Sequence, residues 1–186
     1  MKNLSYKLAV PVISLISLFI STSTIAEVLS PRSGNVGDYS REARVNSSFL
    51  RGFMVLEKFD RPCVVQLYGT LVGQSNYEGR IEECNGSGPT TGPYSAQTFI
   101  SGGSSYVTGI KVCHSNSNRV KGYTLYGRAF GSPFTLSDSY ERANCNDWQT
   151  RVNCPTDTRA IGVKAYFMNG SGSRSDSLTG IRLICE

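Results

Sequence analysis

Ile181-Arg182-Leu183-Ile184-Cys185 closes the chain, and the pattern occurs twice before, as Val65-Gln66-Leu67-Tyr68-Gly69 and Tyr123-Thr124-Leu125-Tyr126-Gly127. Each copy reads apolar, polar, Leu, Tyr or Ile, then Gly or Cys. The central leucines fall at 67, 125 and 183, a constant step of 58 residues. Alternation with a period of two is the signature of a strand with one buried face. Three such strands at one spacing indicate a unit of sheet repeated three times.

The rest of the chain can be aligned outward from these strands. Upstream of each lies a glycine among apolar residues: Arg51-Gly52-Phe53-Met54-Val55, Thr108-Gly109-Ile110-Lys111-Val112 and Ile161-Gly162-Val163-Lys164-Ala165. Glycine inside a strand marks a bulge or a close backbone approach. Further upstream the units open on Asp38-Tyr39, Pro93-Tyr94 and Asp147-Trp148, each followed by a short strand-like piece. Arg44-Val45-Asn46 recurs as Arg151-Val152-Asn153. The connections inside the units are polar, clearest in Asn169-Gly170-Ser171-Gly172-Ser173. No segment after residue 27 carries a helical period longer than two turns, although Ser137 to Asn144 suits a single turn of helix. The reading is all-β, with repeats at about 38–92, 93–146 and 147–186 after an irregular arm at 27–37.

The first 26 residues stand apart from this pattern. Lys2 and Lys7 precede an apolar run from Leu8 to Ile20, and Thr24-Ile25-Ala26 supplies small residues, as in a secretory signal peptide cleaved before Glu27. The run is short for a membrane span. The leader carries two lysines and no acids, so the net charge of +5 falls to +3 for residues 27–186. These positive charges are scattered rather than clustered, which argues against nucleic-acid binding.

All six cysteines lie beyond the leader, an even number that suits three disulfides in a secreted protein. Their order suggests Cys154 with Cys185, Cys63 with Cys84, and Cys113 with Cys145. Their spacings fit no zinc pattern and His114 is the only histidine, so neither a metal nor another cofactor is expected. Cys113-His114 is a poor nucleophile–base pair, because neighbours on a strand point to opposite faces. Glu82-Glu83, Asp138 and Glu141 read as solvated residues, so no catalytic residue is assigned. Asn46, Asn85 and Asn169 match the glycosylation pattern, which has meaning only in a eukaryotic secretory host.

The segment from Asp147 to Cys185 resembles the vitelline membrane outer layer protein family. The likeness rests on Trp148, Cys154-Pro155, Ile161-Gly162-Val163-Lys164, the glycine-rich loop, and Ser175-Asp176-Ser177-Leu178-Thr179-Gly180-Ile181-Arg182-Leu183. It covers about forty residues. The family's paired acids are reduced here to Asp176 between serines, and Tyr39 and Tyr94 stand where tryptophans are usual. The resemblance implies a β-prism, three sheets around a pseudo-threefold axis. Jacalin-like lectins share that architecture and the apolar-Thr-Gly-Ile strand.

Sugar recognition needs an aromatic face and side chains that exchange hydrogen bonds with hydroxyls. Asp147 and Trp148, Tyr94 and Asp176 are the candidate glycan contacts. Tyr39, Tyr94 and Trp148 equally suit a repeated core plug. The functional expectation is a secreted, lectin-like protein that recognises cell-wall or cell-surface glycans. A protein-interaction or structural module is the alternative, and a glycan-modifying enzyme would need two carboxylates facing each other across a cleft.

Overall fold

In the computed structural model, residues 26–46, 49–70, 77–85, 98–100 and 104–186 are described, with Thr98 and Phe99 as backbone only. Every regular element among them is a strand. The arm contributes β1 (Val28–Leu29) and β2 (Ser33–Gly34), and the first unit contributes β3 (Tyr39–Arg44), β4 (Leu50–Lys58), β5 (Arg61–Gly69) and β6 (Gly79–Glu82). The second contributes β7 (Thr98–Phe99), β8 (Ser105–His114), β9 (Val120–Ala129) and β10 (Leu136–Glu141). The third contributes β11 (Asp147–Trp148), β12 (Val152–Asn153), β13 (Ala160–Met168) and β14 (Ser177–Cys185).

Each glycine-marked strand pairs antiparallel with the leucine strand that follows it, giving the hairpins β4–β5, β8–β9 and β13–β14. Each hairpin is the heart of one sheet. The orders are β6-β5-β4-β7, then β10-β9-β8-β11 with β12 also on β8, then β1-β14-β13-β3 with β2 also on β14. The short opening strands pair across the sequence repeats: β7 on β4, β11 and β12 on β8, and β3 on β13. The last of these pairings joins the two ends of the chain and completes the ring.

This exchange explains the repeated glycines. The ladder skips one residue before each of Gly52, Gly109 and Gly162, and each glycine faces an incoming strand at Phe99, Asn153 and Arg44 respectively. Bulge and strand pairing coincide at all three positions, and at Gly109 and Gly162 an added β-carbon would stand 2.3 Å from an atom of the incoming strand.

The buried faces meet in one core. Leu67, Leu125 and Leu183 are fully buried within it, among Phe53, Val65, Ile110, Val112, Val163 and Ile181. Full burial of a leucine is worth roughly 1.5–3 kcal/mol relative to exposure, so a polar residue at any of these positions is costly. The fold is all-β, a β-prism of three sheets with pseudo-threefold symmetry.

Two local expectations change. Ser137 to Asn144 is not helical: β10 takes most of it and pairs with β9 from Leu136 to Glu141. Its half-buried and exposed residues alternate along the strand, the period-two pattern that a partner strand rewards and a helix cannot satisfy. The arm at 27–37 is not irregular throughout, because β1 and β2 both pair with β14. The leader up to residue 25 lies outside the described residues.

Three disulfides staple the prism: Cys63–Cys84, Cys113–Cys145 and Cys154–Cys185. The first two tie a leucine or glycine strand to the segment beyond its hairpin. The third ties the connection after β12 to the end of β14.

Candidate functional site

The repeat-equivalent aromatics occupy different environments. Tyr39 begins β3, packs against the core and stacks on Phe167 with ring centroids 5.7 Å apart. Its hydroxyl donates toward the carboxylates of Asp176 and Glu83, at 3.0 Å for Glu83. Burial first, and then these two acceptors, raise the phenol's pKa above its ordinary value, so Tyr39 stays protonated. Arg41 Nε donates to Glu83 at 2.7 Å, and the Gly170 amide donates to Asp176 at 2.6 Å. Glu83 is therefore not the solvated loop residue its sequence suggested, whereas Glu82 is exposed. The Glu83 and Asp176 carboxylates converge on one phenol, an arrangement that anchors the third connection to β3.

Trp148 belongs to the outer face of the second sheet. Its strand, β11, pairs with β8 so that Trp148 lies opposite Cys113 and Asp147 opposite His114. The Lys111 ammonium sits 4.4 Å from the Trp148 ring centroid, a cation–π contact on a half-buried ring. Asp147 is exposed and accepts a hydrogen bond from Gln149 Nε2 at 2.5 Å. Tyr94 lies outside the described residues.

The same sheet face continues along β9 and β12. The Arg151 guanidinium lies 3.7 Å from the Tyr126 ring centroid and donates from Nε to Asn153 Oδ1 at 2.9 Å. Arg159 lies 4.9 Å from each of the Phe49, Tyr106 and Phe130 rings. Between these groups is a cleft of about 460 Å³, lined by Tyr106, Thr108, Arg128, Arg151, Asn153 and Arg159 among others. One aromatic ring, that of Tyr106, converges on it with hydroxyls, an amide and guanidinium forks, the mixture that fixes a polar ligand by orientation.

These cleft residues were not among the candidates from sequence. A usable signal was present in β9: Thr124, Tyr126 and Arg128 recur every second residue, opposite the buried Tyr123 and Leu125. Nothing in the sequence, however, says that Arg151 from the next unit lies over Tyr126.

Cys113 and His114 point apart. Cys113 is held in its disulfide, and His114 is buried with Nε2 2.7 Å from the Thr179 carbonyl oxygen. No group of three or more His, Cys, Asp or Glu residues suited to a metal ion occurs among the described residues. No helix long and apolar enough to cross a membrane occurs among the described residues.

No family model and no curated protein matches this chain. Solved structures do. The Calystegia sepium agglutinin overlaps with a TM-score of 0.51 at 12% identity, over 88% of this chain and 98% of that one. The Calsepa lectin in complex with a biantennary N-glycan overlaps at 0.49 and 12%, over 88% and 99%. The V. cholerae biofilm matrix protein Bap1 overlaps at 0.47 and 11%, over 85% of this chain and 23% of its own. At 12% identity the likeness to the agglutinin is one of fold: this chain is similar to the lectin β-prism, and nothing in it supports the vitelline membrane outer layer family.

Proposed function

We propose that this chain is a secreted, non-catalytic β-prism that binds carbohydrate through the outer face of its second sheet. The observation that carries the reading is the cleft of about 460 Å³ where the Tyr106 ring, threonine hydroxyls, the Asn153 amide and guanidinium groups come together. A pyranose presents an apolar face to a ring and hydroxyls to its rim, and this surface offers partners for both. Trp148 extends the same face, whereas Asp147, its neighbour on β11, lies opposite His114 and so takes the other side of that strand. Asp176 has its carboxylate committed to Tyr39 and Gly170, so this reading makes it a residue that shapes the third connection. The leader-like first 26 residues and the three disulfides suit export. A fold shared with an agglutinin directs the first assays to glycans.

The test is a glycan array and retention on chitin and peptidoglycan resins, using oxidised protein. The expected result is binding to at least one glycan, weakened roughly tenfold in Trp148→Ala or Arg151→Ala, equivalent to about 1.4 kcal/mol. Failure to bind any glycan would overturn the reading and favour a protein-interaction module.

A further inference from the structure

The three hairpin turns meet at one end of the prism, and each brings an arginine there. Arg61 opens β5 after the first turn, Arg119 precedes β9 after the second, and Arg174 lies in the third. Arg61 and Arg119 hold the same position of the repeat, six residues before the central leucine. With Phe59, Asp60, Ser173 and Ser175, the three arginines line a cleft of about 380 Å³.

None of the three has an ion-pair partner among the described residues, whereas Arg41, Arg44, Arg80, Lys121, Arg142 and Lys164 are each paired with an acid. The nearby acids are already engaged. Asp60 binds Lys121 at 2.8 Å and Arg142 at 3.2 Å, and Asp176 binds Tyr39 and Gly170. Arg61 is buried and donates from Nη1 to the Ser175 carbonyl at 3.1 Å. Arg119 Nε is buried with no acceptor. Burial, and then the neighbouring charges of Arg119 and Arg174, hold the Arg61 guanidinium below its usual pKa range, with Asp176 opposing them. Three unneutralised cations around a cavity repel one another, and a buried N–H without an acceptor adds to the cost. An oxyanion in the cavity relieves the repulsion among the three guanidinium groups.

The rim carries a second feature. Phe59 and Asp60 both have positive φ, 50° and 62°, in the two-residue turn between β4 and β5. Asn-Gly is the usual occupant of such a turn, and a bulky residue there is strained. Phe59 is nonetheless 79% exposed and lines the cleft, a ring displayed to solvent rather than folded inward.

We propose that this end of the prism binds an oxyanion carried on a saccharide, a sulfate ester, phosphate ester or carboxylate. Arg61, Arg119 and Arg174 hold the charged group, and the Phe59 ring meets the apolar face of the sugar. Guanidinium forks suit this role because they grip such groups through paired hydrogen bonds. The saccharide half of the proposal rests on the glycan reading above; the anion half does not. The site is separate from the cleft beside Tyr106.

The experiment titrates the oxidised protein with inorganic sulfate and phosphate while following arginine Nε–Hε resonances by NMR. It then measures binding of matched neutral, sulfated, phosphorylated and uronate-containing oligosaccharides. The expected result is saturable shifts at the three arginines and acidic glycans bound at least tenfold more tightly than their neutral counterparts. The acidic series that binds best identifies the anion. Arg174→Gln, at an exposed position, is expected to lose that preference, as is Arg119→Gln; Arg61→Lys keeps the charge should Arg61→Gln fail to fold. Acidic glycans bound no better than neutral ones, or a preference that survives both Gln variants, would sink the proposal. Neutral glycan bound with no response to sulfate, phosphate or acidic glycan would overturn it and leave the glycan reading standing. Anion binding with no glycan bound at all would overturn the glycan reading and the saccharide half together.

Discussion

Gly162 lies so close beneath Ala43 that a β-carbon built on the glycine would stand 2.3 Å from the Ala43 carbonyl oxygen. That contact is where the first unit's opening strand joins the third sheet. The obstacle is backbone in a paired strand, so it yields only by shifting β3. Gly162→Ala is expected to destabilise the protein by about 1–3 kcal/mol, the usual cost of overpacking. Gly109→Ala meets the movable Asn153 side chain at 2.3 Å, with the Val152 carbonyl at 3.0 Å, and is expected to cost less. Urea unfolding of the two variants tests the order; equal stabilities would contradict it.

Cys154–Cys185 spans 31 residues and fastens the end of β14, where Cys185 also pairs with Val28 and Ala160. The double variant Cys154→Ser/Cys185→Ser is expected to lose about 3–4 kcal/mol from the constraint released in the unfolded chain. Differential scanning calorimetry should show a midpoint lower by roughly 6–16 °C. An unchanged midpoint would mean that the hairpins alone hold this corner.

Lys121 is almost wholly buried and binds Glu57, also buried, at 2.9 Å; Arg142 reaches the other Glu57 oxygen. Lys121→Met removes one cation from this network and is expected to cost about 3–5 kcal/mol, because a buried carboxylate loses a partner. Lys121→Met/Glu57→Leu should recover much of that loss, since apolar replacement of both partners avoids the stranded charge. Chemical denaturation of the single and double variants measures it, and a double variant as unstable as the sum of two singles would refute the coupling.

His114 provides a pH dependence with a defined sign. Burial lowers its pKa below the usual 6.5, against opposing contributions from the Thr179 carbonyl and Asp147. The unfolded chain therefore takes up a proton before the folded one does. Stability from this group is complete above about pH 6.5 and is lost as pH falls from there toward the folded-state pKa. Urea midpoints taken between about pH 7.5 and pH 5, across the range where an unperturbed histidine titrates, should fall with acid in the parent. His114→Gln should flatten that slope, and a parent slope rising toward acid would contradict the assignment.

The repeat was legible because core packing imposes the same alternation on Leu67, Leu125 and Leu183, and because cysteines and glycines are scarce enough to mark positions. The site was less legible, for a physical reason. Tyr39 and Trp148 hold equivalent places in the repeat, yet one packs on the core beside Phe167 and the other faces outward beneath Lys111. Their surroundings are supplied by other units, which local spacing does not record.

The sequence alone determined an all-β chain of three leucine-centred hairpins, because strand alternation and polar turns are local properties. Only the tertiary structure decided that each opening strand pairs outside its own hairpin, that Arg151 covers Tyr126, and that Arg61, Arg119 and Arg174 share a cleft. Those contacts join residues far apart in the chain, and closing three sheets around one core is what brings them together.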